Sequence, residues 1–81
     1  MMVERNKYGR PVIRTEVDGN KGSSEVCWID DGYSVPHYAS FVVVPFQPAK
    51  WNYIGNVTEE QAIEKAGRDL EYRLAQCGMI Q

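Results

Sequence analysis

The chain has 81 residues, 43% hydrophobic and 25% charged, with a formal net charge of −2. That length holds one domain with a thin core, and the ordinary composition excludes wholesale disorder. The small net charge excludes a protein that coats nucleic acid by bulk charge, and equally a heavily acidic mimic of nucleic acid.

Residues 1–10 are polar and read as a loose arm, tied down at most by Tyr8. No apolar stretch follows the early charges, so neither a signal peptide nor a membrane span is expected, and the cytoplasm is the expected location. From 12 to 17 the chain alternates. Ile13, Thr15 and Val17 share one face, and Val12, Arg14 and Glu16 the other, which is the period of a half-buried strand. Asp18-Gly19-Asn20-Lys21-Gly22 is a dense turn signal. The chain then returns through Glu25 to Asp30, with Val26 and Trp28 facing one way and Cys27 and Ile29 the other.

Asp30-Asp31-Gly32 resembles a fragment of a calcium loop but lacks its alternating ligands, so it reads as a turn. Residues 33–37 form a connection in which Pro36 holds Val35 extended. Tyr38 to Phe46, centred on Phe41-Val42-Val43-Val44, is the central strand, and Pro45 marks its end. A turn at Gln47-Pro48-Ala49-Lys50 leads to a short strand, Trp51 to Ile54.

The last element is a helix over 58–77. Thr58 is its N-cap, Gln61 completes a capping box, and Val57 staples onto Ala62. Ile63, Ala66, Gly67, Leu70, Leu74 and Cys77 form the apolar stripe, and Gly78 is the expected C-cap. Glu64–Arg68, Lys65–Asp69 and Asp69–Arg73 are spaced as ion pairs on the wet side.

The expected fold is therefore α+β, a single domain over 1–81. A small antiparallel sheet of three or four strands spans 12–54, and one C-terminal amphipathic helix packs on one face, in the order β-β-β-β-α. Its core centres on Ile13, Trp28, Val42 and Val44. The apolar run at 41–44 implies cover on both faces of its strand, yet one helix covers only one. The second face is open to solvent or buried in a dimer, and the mismatch points to a homodimer or a partner.

Chemistry-bearing patterns are sparse. His37 is the single histidine, and its neighbours in sequence supply no nucleophile and no orienting third group. Cys27 and Cys77 follow neither zinc nor disulfide-framework spacing and read as two buried thiols. No catalytic residue, cofactor or metal is expected. Tyr72 stands opposite Ile63 on the helical wheel, among Lys65 and Arg68, as an aromatic anchor ringed by charge would. The loop carrying Tyr33, His37 and Tyr38 offers a second candidate contact. The plain alternatives are a lone exposed ring and a loop folded over the core.

The leading expectation is a non-enzymatic protein that occupies a surface on a larger macromolecule, most simply a protein or protein complex. Size suggests a narrower form, a phage or mobile-element inhibitor such as an anti-CRISPR or anti-restriction protein. The runner-up is a small RNA- or single-strand-binding domain. Residues 1–22 hold five basic against three acidic residues, and Arg5, Lys7, Arg10 and Arg14 flank Tyr8 as a grip on backbone and base would require. A third reading is a small enzyme or ligand sensor centred on His37.

Overall fold

The protein is described by a computed structural model covering the backbone of residues 1–80 and the side chains of residues 1–77. Five strands precede one helix: β1 (Met2–Arg5), β2 (Pro11–Val17), β3 (Asn20–Ile29), β4 (His37–Val43), β5 (Lys50–Gly55) and α1 (Glu59–Ile80). The strands lie side by side in chain order, every neighbour antiparallel, so the central strand is β3 and not β4, which holds the apolar run. The α+β class and the single covering helix are as expected, but the sheet has five strands.

The extra strand comes from the polar arm, which is not loose. Met2 to Arg5 pairs with Arg14 to Pro11. The hairpin closes because the Asn6 side chain caps the turn: its Oδ1 accepts from the Tyr8 and Arg10 backbone N–H groups, each at 3.0 Å. Gly9, at φ 77°, completes the reversal. The next turn is also tighter than the run of turn residues suggests. Asp18 and Gly19 sit at φ 52° and 84°, the two positive values of a type I′ hairpin, so Asn20 to Gly22 join β3.

The helix begins as its residues dictate. The Thr58 Oγ accepts from the Gln61 N–H, and the Gln61 Oε1 accepts from the Thr58 N–H, both at 3.1 Å. Ala62, Ala66, Leu70, Leu74 and Cys77 are buried against Ile13, Val26, Val42 and Val44, and Val57 packs beside them. Each fully buried leucine contributes about 1.5–3 kcal/mol by leaving water. The helix continues to Ile80 instead of ending at Gly78. At 22 residues it is long enough to span a membrane but not apolar enough to cross one.

Trp28 does not belong to this core. It shares the helix-side face with Val26, but its row lies at the sheet end, beside Tyr38 and Gly55, where the helix provides little cover. It remains 47% exposed and packs edge-to-face on Tyr38, with centroids 4.8 Å apart.

Close approach of helix and sheet depends on small side chains on both. A methyl group added at Gly22 would stand 2.9 Å from the Val43 carbonyl oxygen and 3.0–3.1 Å from the ends of Leu74 and Leu70. Gly22→Ala is therefore expected to cost about 1–3 kcal/mol through overpacking, read as a lower urea midpoint. Ser24 and Ser40 are fully buried on the same face, with hydroxyls that meet no partner. Ser40→Ala is expected to leave stability unchanged or raise it by up to about 1 kcal/mol in the same measurement, because it removes an unsatisfied polar group.

Candidate functional site

The sheet has a second face, and no helix lies on it. Strand alternation and register place its residues in rows: Met2, Arg14, Ser23 and Val43; then Glu4, Val12, Glu25, Phe41 and Trp51; then Cys27, Ala39 and Tyr53; then Ile29 and His37. The β1–β3 side carries charge. The β4–β5 side carries rings.

The rings touch in pairs. Phe41 and Trp51 have centroids 5.2 Å apart, and His37 and Tyr53 4.8 Å apart. Trp51 is 59% exposed and Tyr53 70%, values far above those of core aromatics. Between them lies a hollow of about 380 Å³, floored by Ala39 and walled by Ile29, His37, Trp51 and Tyr53. Val12, Cys27 and Ala39 are buried although they belong to this face, and their side chains are short.

Three ion pairs on the remainder of the face join its charges to one another. Arg14 meets Glu4 at 2.6 Å, Arg10 meets Glu25 at 3.7 Å, and Lys21 meets Glu16 at 4.0 Å. Glu25 also accepts from the Asn6 amide. Burial pushes the Cys27 thiol above its usual range, and nearby Glu25 adds to the shift. Cys77 lies across the sheet in the helix-side core, its Sγ 3.5 Å from the Pro45 carbonyl oxygen that accepts from it. Both cysteines are free thiols.

The residues singled out for partner contact are dispersed. His37 joins the ring side of the open face. Its Nδ1 donates to the Val35 carbonyl at 2.7 Å, leaving Nε2 as the acceptor. Tyr38, next in sequence, points to the opposite face and packs against the helix-side core. Tyr33 stands at the tip of the β3–β4 connection and is 97% exposed. Asp31 builds that tip, its Oδ1 accepting from the Tyr33 and Ser34 backbone N–H groups at 2.9 and 3.1 Å. The Asn56 amide donates to the Pro36 carbonyl at 2.7 Å and ties the connection to the end of β5.

Tyr72 lies on the outer side of the helix, 65% exposed, beside a hollow lined by Gln47, Asp69, Arg73 and Gln76. Arg68 pairs with Glu64 at 3.5 Å. Asp69 turns to Arg73 at 2.7 Å, and the spacing-based Lys65–Asp69 pair does not form.

The cations of the nucleic-acid reading are mostly engaged. Arg5 reaches across to Glu59 at the helix N-terminus, and Arg10 and Arg14 hold Glu25 and Glu4. Lys7 and Arg10 lie 5.2 and 5.4 Å from the Tyr8 ring centroid, a small cation–π cluster at the hairpin tip. Sequence alone does not show that register gathers Phe41, Trp51, Tyr53 and His37 on one face. The alternation of Trp51 and Tyr53 with Asn52 and Ile54 is the part of that signal the sequence carries.

The chain matches no family model, no curated protein and no solved structure.

Two carboxyls are held below their ordinary range. The Arg5 hydrogen bond holds Glu59 below the usual carboxylate range, and the Tyr33 and Ser34 backbone N–H groups do the same for Asp31. Depressed values mean that each contribution is complete above the ordinary carboxylate pKa and is lost as pH falls through the lowered one. Glu59→Gln and Asp31→Asn are thus expected to melt below the parent chain at pH 7 and to converge with it in strong acid. Thermal melts from pH 7 to pH 2 check this.

Proposed function

We propose that this protein works through association with protein, and that the ring side of the open sheet face is its contact surface. One observation carries the reading: Trp51 and Tyr53 stand largely exposed beside Phe41 and His37, on a face that the only helix among the described residues does not cover. Large aromatics in water are costly in a small domain, and they are the residues that dominate binding energy at interfaces. The flanking ion pairs suit a polar rim around an apolar centre. Tyr33, and Tyr72 beside Arg68 and Lys65, are further exposed points from which a larger partner can be held.

Charge favours a protein over a nucleic acid as the partner. Three of the four cations read as a backbone grip are paired with carboxylates, and pairing leaves fewer counterions to release on binding. In this reading the protein acts by occupying a surface, and an inhibitor of the phage or mobile-element kind is its narrower form.

The test is capture from a lysate of the source cell by the immobilised chain. A protein retained by the parent chain is expected to be lost on Trp51→Glu or Tyr53→Glu, at least tenfold, with the far-UV circular dichroism unchanged. Capture that survives both variants and is instead lost with the hairpin tip residues Lys7 and Tyr8, steeply with salt, would replace this reading with nucleic-acid binding.

A further inference from the structure

We infer that the occupant of the open face is a second copy of this chain, packed sheet to sheet about a two-fold axis through the ring patch; this rests on the reading of that face as a protein-binding surface.

Shape is the first support. The hollow over Ala39, about 380 Å³, has room for a large side chain, and two of its walls, Trp51 and Tyr53, are themselves large and exposed. A surface that holds both a hollow and the rings to fill one meets the requirement of a two-fold contact. There, residue i of one copy touches residue j of the other, and j touches i. Two sheets pack face to face about 10 Å apart, with inner side chains interdigitated, and ring into hollow achieves this spacing.

Charge is the second. Glu4 with Arg14, Glu25 with Arg10, and Glu16 with Lys21 are matched within the chain, so the face brings no unpaired charge to the contact. A copy of the same face has the same neutrality, so stacking the two faces brings no net like charge together. An anionic partner would have to break these pairs to find a cation.

Area is the third. Five strands at the usual spacing of about 4.8 Å and about 20 Å of strand length give a face of roughly 500 Å² in plan. Projecting rings raise its accessible area towards the roughly 800 Å² per partner of a standard specific interface. The assembled dimer is a four-layer α-β-β-α sandwich, in which each sheet gains the second cover that Phe41 and Val43 lack in the single chain. Both helices then face outward and present Tyr72 twice.

Sedimentation equilibrium from about 1 to 100 μM tests the inference. The parent chain is expected at twice 9.2 kDa. Trp51→Glu and Tyr53→Glu, both at exposed positions, are expected to weaken the dimer at least 100-fold while the circular dichroism stays native. Tyr72→Glu, on the outer side of the helix, is expected to leave it intact. A monomer at every concentration overturns the second copy. So does a dimer that both face variants leave unchanged. If the chain is monomeric yet a captured protein is lost on Trp51→Glu, only the second copy falls and the binding face stands. If neither association nor capture responds to either face variant, both readings fall.

Discussion

One helix packs on a five-stranded sheet, and the geometry of that contact governs the rest of the molecule. A helix is about 10–12 Å across with its side chains, whereas five strands span about 20–24 Å. The helix therefore covers a band, mostly over β2 and β3, and leaves the end of the sheet at Trp28 and the entire opposite face without cover. Ala62, Ala66 and Gly22 bring the backbones close enough for Leu70 and Leu74 to fill the space between. A thin core of this kind has few other residues to draw on, so the whole chain depends on that seam.

Polar groups around the seam are arranged to hold ends in place. Arg5 on β1 meets Glu59 at the start of the helix, joining the first and last elements. The carboxylate is also favourably placed there, near the positive end of the helix dipole. Asn6, Asp31 and Asn56 each fix a connection with a side-chain to backbone hydrogen bond. Exposed ion pairs of this type contribute little individually. Their larger effect is to leave one face neutral and its rings accessible, which turns an incomplete core into a surface suited to association.

Both binding readings draw on the same physics. In each, apolar area removed from water would drive the contact, and paired charges would set what is accepted. The open face differs from the outer helix in this respect. Tyr72 is a lone ring among charges, whereas Phe41, Trp51, Tyr53 and His37 are contiguous, and contiguous rings exclude water together.

Local rules made much of the molecule legible in advance. The alternation of β2 and the capping box at Thr58 and Gln61 are short-range effects and appear where their residues place them, whereas the turn after β2 is confined to Asp18-Gly19 and β4 ends at Val43, two residues before Pro45. The mismatch between an apolar strand at 41–44 and a single helix was likewise visible from periodicity. Three things were decided only by tertiary structure. Pairing with β2 and the Asn6 cap made a strand of an arm whose composition looked loose. The limited reach of the helix left Trp28 outside the core. Register across β3, β4 and β5 gathered residues distant in sequence onto one open face, while Tyr38, the neighbour of His37, went to the other. A sequence determines which side of its own strand a residue occupies; which rings become neighbours depends on the pairing of strands, and pairing is settled by the whole sheet at once.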